Sequence, residues 1–95
     1  MALRVEDDQI IFSSGRAVNI NCGLVGLRLA GPGPKAHEWG LREFSEGYDG
    51  AIYVEDGEPE TYNGISFSDA LELCAAMIKA WEERRKALEA VVHAR

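Results

Sequence analysis

The distribution of helix-breaking residues divides this chain into two parts. All glycines and prolines lie within residues 1–64, and residues 65–95 contain neither. Ser66 followed by Asp69 three residues later has the form of a helix capping box, and Ile65 is the apolar residue that precedes it. The pattern predicts a β-rich part over residues 1–64 and one long helix over residues 65–95.

Apolar residues recur along the predicted helix at spacings of three and four, the period of one helix face. They are Phe67, Leu71, Cys74, Ile78, Trp81, Leu88 and Val92, with Leu73, Met77 and Val91 alongside. We expect this stripe to cover the predicted sheet, because an apolar helix face and an apolar sheet face each need a partner.

The first thirty residues alternate apolar and polar side chains, as half-buried strands do. A two-residue turn at Asp7-Asp8 predicts an antiparallel hairpin in which Val5 lies opposite Ile10. Because successive side chains point to opposite faces, this register places the apolar residues of both strands on one face.

Further turns extend this sheet. A loop at 14–16 sets Phe12 opposite Val18, and a turn at 22–23 returns the chain as a fourth strand on the same apolar face. A fifth strand is predicted at 51–55, able to return through a hairpin. The predicted fold is therefore α+β, an antiparallel β-meander of four to five strands covered by one long C-terminal helix.

Length and composition indicate a single domain over residues 1–95, 46% of them hydrophobic. The chain has no apolar run long enough for a membrane span and no basic-then-apolar start. We therefore expect a cytoplasmic protein that does not associate with membranes. Cys22 and Cys74 lack the close spacing of a zinc or redox motif.

Negative charge is concentrated in the middle of the chain. Residues 43–78 contain nine acidic residues and no Lys or Arg, in a chain of net charge −6. Charge segregation influences association rates and partner choice. We expect an acidic face that engages a basic surface on a partner protein, and a pI near 4.8 argues against direct nucleic-acid binding.

Residues 31–50 are about twenty residues without a clear element, and such segments in compact domains are usually functional or mobile. Aromatic residues of the type that anchor interfaces occur in it. The alternative is that they cover an open sheet edge or one end of the core. The predicted partner-binding residues are Trp39, Phe44, Tyr48, Glu43, Glu46, Asp49, Glu55, Asp56, Glu58 and Glu60.

The predicted helix is longer than the predicted sheet. Residues 67–94 would span about 42 Å, whereas strands of five or six residues span about 17–20 Å. One interpretation of the projecting end is a solvated helix that frays. The other is self-association, most simply as a homodimer. The residues predicted to take part are Trp81, Arg85, Leu88, Val91 and Val92.

The sequence contains few candidate catalytic or metal-binding residues. Cys22 and His37 could act as nucleophile and base, although no spacing requires it. His37, Glu38 and Asp49 include no ligand pair at a diagnostic spacing. We predict no catalytic residue, no metal and no cofactor. The alternatives to an interaction module are a small-molecule binder or minor enzyme with a pocket near Cys22 and His37, and a structural homodimer subunit.

Three short segments carry a resemblance. They are Phe12-Ser13-Ser14-Gly15, Gly47-Tyr48-Asp49-Gly50, and Met77-Ile78 followed by Trp81. In these segments the chain resembles small phage or prophage proteins of uncharacterised function. The resemblance implies no fold, activity or site residue, but it favours an inhibitor or adaptor that binds a host or phage factor.

Overall fold

The computed structural model describes residues 3–32 and 51–94. Their architecture is α+β, with an antiparallel sheet of order β1-β2-β3, a parallel sheet of order β4-β5-β6, and a C-terminal helix. The elements are β1 (Arg4–Glu6), β2 (Gln9–Ile11), β3 (Ala17–Asn19), a 3-10 turn (Leu24–Gly26), β4 (Arg28–Pro32), β5 (Ala51–Val54), β6 (Gly64–Ile65) and α1 (Phe67–His93).

Strands β1 and β2 form the predicted hairpin. Val5 lies opposite Ile10. Asp7 and Asp8 both have positive φ, 47° and 66°, as a two-residue turn of type I′ requires. Asp tolerates this left-handed region better than most residues do. The predicted turn and register are therefore confirmed.

Strand β3 pairs with β2 in the predicted direction but two residues out of the predicted register. Ile10, and not Phe12, lies opposite Val18. The Phe12 N–H donates to the Arg16 carbonyl at 2.8 Å, and the Gly15 N–H donates to the Phe12 carbonyl at 2.9 Å, so the loop begins one residue earlier than predicted. A shift of two residues leaves every side chain on its original face, which is why the predicted inward residues are still buried.

The predicted meander ends at the third strand. After the 3-10 turn, β4 pairs in parallel with β5, with Leu29 opposite Ile52. Strand β5 pairs in parallel with β6, with Val54 opposite Ile65, instead of returning through a hairpin. The prediction of a fourth antiparallel strand and of a hairpin after the fifth is thus corrected. Strand β5 is a nearly continuous apolar run, as strands of parallel sheets usually are.

Side chains connect β3 to the segment that leads into β6. The Asn63 amide accepts a hydrogen bond from the Asn19 N–H at 2.9 Å and donates one to the Asn19 carbonyl at 2.8 Å. Asn63 has φ of 59°, a left-handed conformation that Asn adopts more readily than most residues. The Arg16 guanidinium donates to the Gly64 carbonyl at 2.9 Å. These side chains thus satisfy the N–H and carbonyl groups of Asn19 and the carbonyl group of Gly64.

The core lies between the two sheets and the first half of α1. Its buried members are Ile10, Phe12, Val18, Ile20, Leu27, Ile52, Val54, Ile65, Ala70 and Leu73. The inward face predicted for the first strands is confirmed at Ile10, Phe12 and Val18. Val5 departs from it, because this edge-strand residue is 46% exposed.

Candidate interaction surface on the C-terminal helix

Helix α1 is fixed at its N-terminal end. It begins as predicted, with the Ser66 hydroxyl accepting a hydrogen bond from the Asp69 N–H at 3.1 Å. The buried Asp69 carboxylate accepts from the Ser14 hydroxyl at 3.2 Å. The Glu72 carboxylate accepts from the Ser13 N–H at 3.1 Å. These bonds to the β2–β3 loop set both the position and the rotation of the helix.

Among the described residues, the core is contacted by the first half of α1 and not by the second. Leu73 is fully buried, Ala70 is 8% exposed, and Met77 packs partly against the core. From Trp81 to Ala94 every residue is exposed. This stretch is about 20 Å long. It extends a helix that is already anchored at its N-terminal end, and the described part of its own chain leaves all of it exposed.

The stripe that is predicted to cover the sheet lies to the side of the face that packs on it. Its large members are about half exposed or more, namely Phe67 (48%), Leu71 (73%), Ile78 (61%), Trp81 (52%), Leu88 (58%) and Val92 (58%). The residues that do pack inward, centred on Leu73 and Met77, lie about 80° away around the helix, at 100° per residue. The predicted orientation of α1 is therefore corrected, because the contacts of Asp69 and Glu72 turn Leu73 to the core.

The exposed stripe has the period of a coiled coil. Spacings of four and three alternate without interruption through positions 67, 71, 74, 78, 81, 85, 88 and 92. They are the d and a positions of a heptad repeat, which face a partner helix in a coiled coil. Seven of the eight residues are apolar, and Arg85 is the exception. We call these eight residues the helix seam.

Arg85 and Trp81 are the charged residue and the largest aromatic residue of the helix seam. The Arg85 guanidinium donates to the Glu89 carboxylate of its own helix at 3.2 Å, with both side chains more than half exposed. The surface beside them is open and shallow, and it is formed by Met77, Ile78, Trp81, Glu82 and Arg85. An exposed aromatic side chain among apolar neighbours is typical of the centre of an interface.

Glu55 is a buried carboxylate that closes its own loop. One oxygen accepts a hydrogen bond from the Glu60 N–H at 3.0 Å and the other accepts from the Thr61 N–H at 2.8 Å. Burial raises the pKa of Glu55. The hydrogen bonds from Glu60 and Thr61 and the charge of Arg16 outweigh this effect and hold the pKa below its ordinary value. The prediction that Glu55 belongs to an exposed acidic face is corrected by its 8% exposure.

The other described acidic residues between positions 43 and 78 are either hydrogen-bonded within the fold or exposed. Asp69 and Glu72 accept hydrogen bonds from the β2–β3 loop, so they anchor α1. The remaining three are exposed in the connection between β5 and β6. We call these three, Asp56, Glu58 and Glu60, the acidic loop.

Several predicted residues lie outside the described residues, so their roles stay predictions. They are Trp39, Phe44, Tyr48, Glu43, Glu46, Asp49, Glu38 and His37. Cys22 is exposed, and its pairing with His37 is one of these predictions. Of the predicted self-association residues, Trp81, Arg85, Leu88 and Val92 lie on the helix seam and Val91 flanks it, all of them exposed.

Within residues 3–32 and 51–94, no three His, Cys, Asp or Glu side chains are grouped to hold a metal ion. No helix in this part of the chain combines the length and the apolarity that crossing a membrane requires.

Sequence reasoning missed that α1 carries two apolar rows. The signal was present, because the seam repeats every 3.5 residues while Ala70, Leu73 and Met77 form a second row beside it. A helix with two apolar rows can pack one row on its own core and leave the other row exposed. The bridging roles of Arg16 and Asn63 had no comparable signal, because they depend on contacts across more than forty residues.

Comparison of the chain with protein-family models, curated proteins and solved structures gives no match. The resemblance to phage proteins stays a prediction.

Proposed function

We propose that this protein is an interaction module that works as a homodimer, with two copies held together along the helix seam. The observation that supports this proposal is the helix seam itself, a heptad stripe along α1 whose six large apolar members are exposed. Contiguous exposed apolar surface usually marks a binding site. Each chain offers one such helix, and a two-fold pair is the simplest closed assembly of identical seams.

The seam offers enough area for a specific dimer. A half-exposed aromatic or large aliphatic side chain presents about 100 Å² of surface. The six large seam residues together would then bury about 1,200 Å² over two copies, the lower limit of specific protein interfaces. Their burial would also give packing to the projecting half of α1, which is exposed in the single copy.

Sedimentation velocity tests the homodimer. We expect wild type to be dimeric at about 100 μM and an Ile78→Glu/Leu88→Glu variant to be monomeric, because both substitutions place charge in the seam. Lys79→Glu is the matched control, since it also changes the net charge by two but lies on the far side of α1. Circular dichroism establishes that all three proteins are folded. A wild type that is monomeric at several hundred micromolar would show the proposal to be wrong.

The acidic loop supports a second role, attraction of a basic partner surface. Its three carboxylates are exposed and lie within five residues of one another. Such charges act mainly by accelerating association, and salt weakens them as the Debye length falls to about 8 Å at 0.15 M. The partner class is a protein with a basic surface, for which immobilised polylysine is a usable probe.

Surface plasmon resonance at two ionic strengths tests this role. We expect Asp56→Asn/Glu58→Gln/Glu60→Gln to associate with polylysine more slowly than wild type, with a weaker salt dependence. Glu6→Gln/Asp7→Asn/Asp8→Asn removes the same number of charges from the β1–β2 hairpin and is the control. Equal slowing by both variants would assign the effect to net charge and remove the role of the acidic loop.

A further inference from the structure

We infer that the two copies pair antiparallel, with the two-fold axis between Ile78 and Trp81, an inference that rests on the proposed homodimer. In an antiparallel coiled coil, a positions of one helix meet d positions of the other. With the axis at this point all eight seam positions are paired. Phe67 meets Val92 of the partner subunit, Leu71 meets Leu88 of the partner subunit, Cys74 meets Arg85 of the partner subunit, and Ile78 meets Trp81 of the partner subunit.

Arg85 selects this direction. In a parallel pair the two Arg85 guanidinium groups would share one layer of the seam and repel each other. In the antiparallel pair they are eleven residues apart along the axis, about 16 Å, which is twice the Debye length of about 8 Å at physiological ionic strength. Opposite the small Cys74 of the partner subunit, the stem of Arg85 has room to lie along the seam while its charged end stays with Glu89.

The flanking charges do not oppose this direction. In the antiparallel register Glu82 and Glu89 lie beside Ala75 and Ser68 of the partner subunit, so neither acidic residue meets a like charge. A parallel pair would bring Arg84 near Glu89 of the partner subunit. That contact would be an exposed ion pair, and such pairs contribute little.

The antiparallel arrangement also uses the anchored half of α1. Residues 81–93 of each copy would lie against residues 66–78 of the other, the part that hydrogen bonds fix to the β2–β3 loop. The two acidic loops, each close in sequence to the start of its own α1, would then lie near opposite ends of a helix pair about 40 Å long. A parallel pair would instead place these like charges side by side. The dimer would therefore present two separated sites to basic partners.

Cysteine cross-linking reads the register directly. A disulfide requires Cα atoms within about 7 Å. In a Cys22→Ser/Arg85→Cys protein, the thiol introduced at position 85 would face Cys74 of the partner subunit, and oxidation by diamide should give a covalent dimer. In the Cys22→Ser control, the two Cys74 thiols are about 16 Å apart along the axis and should remain reduced. Mass spectrometry of the linked peptides should identify the 74–85 bond.

A second variant tests the direction without relying on Arg85→Cys. Cys74→Glu places a carboxylate opposite Arg85 of the partner subunit in the antiparallel pair. In a parallel pair it would place the two new carboxylates opposite each other. We expect the dimer dissociation constant, measured by sedimentation equilibrium, to fall about threefold or more. An increase would overturn the antiparallel arrangement.

The outcomes separate the two proposals. A covalent dimer of the Cys22→Ser control linked through Cys74 would mean a parallel pair, which overturns this inference and leaves the homodimer standing. A dimer that cross-links in neither protein would mean a different register and would also overturn it. Monomeric protein throughout would remove the homodimer itself.

Discussion

The carboxylate of Glu55 fills the space that a side chain at position 64 would need. A Cβ atom at Gly64 would lie 2.8 Å from the Thr61 carbonyl oxygen and closer still to the Glu55 carboxylate. Glu55 follows β5 and Gly64 begins β6, so this contact closes the connection between the two parallel strands. The conformation of this connection therefore requires the buried Glu55 carboxylate and a residue without a side chain at position 64.

Gly64→Ala should therefore destabilise the fold. We expect a loss of about 1–3 kcal/mol in the free energy of unfolding, the usual effect of forcing a methyl group into a filled site. Denaturant unfolding at fixed protein concentration measures it. In a Glu55→Ala background the same change should have a smaller effect, because part of the obstruction is gone. An equal loss in both backgrounds would mean that Glu55 is not the obstructing group.

Glu55 should also make stability depend on pH. Its pKa in the folded protein lies below the ordinary value of 4.5, so the unfolded chain binds the proton more readily. Its contribution is complete above the ordinary value and is lost as pH falls through the folded pKa. Glu55→Gln, which leaves a backbone N–H facing an amide, should reduce stability near neutral pH by about 1–3 kcal/mol.

The measurement is the difference in unfolding free energy between wild type and Glu55→Gln from about pH 7 to about pH 3. Groups unaffected by the substitution cancel in this difference. It should be constant near neutrality and shrink below pH 4.5. A difference that does not change with pH would contradict the lowered pKa.

Asn63 should matter both for its hydrogen bonds and for its conformation. Asn63→Gly keeps the left-handed φ but removes both bonds to Asn19, and we expect it to lower stability by about 1–3 kcal/mol. Asn63→Ala should lower it by about 1 kcal/mol more, because alanine is strained at positive φ. Thermal melts of both variants measure the effects. Equal losses would leave no role for the backbone conformation.

Leu71 and Leu73 are matched probes of the two faces of α1. Leu73 is fully buried and Leu71 is 73% exposed. Leu73→Ala should lower the folding stability of the monomer by about 2–5 kcal/mol, whereas Leu71→Ala should leave it nearly unchanged. In the homodimer Leu71→Ala should instead weaken association, seen as a weaker dependence of the melting temperature on protein concentration. Similar losses of monomer stability would place both residues in the core.

Features that depend on residues close together in the chain follow from local pattern. The Asp7-Asp8 turn, the pairing of Val5 with Ile10, and the start of α1 at Ser66 each involve residues at most five positions apart, and each was predictable. Side-chain alternation also identified Ile10 and Val18 as inward residues. That prediction survived the error in register because alternation is unchanged by a shift of two.

The strand pairing after β3 and the rotation of α1 depend on contacts between distant segments. The short sequence of β4 fits an antiparallel or a parallel neighbour, and its pairing with β5 joins residues 23 positions apart in the chain. The rotation of α1 was also open, because two apolar rows compete for the core and the contacts of Ser13 and Ser14 with Glu72 and Asp69 select one of them. The local sequence pattern indicates which side chains prefer burial. Packing between distant segments determines which residues bury them.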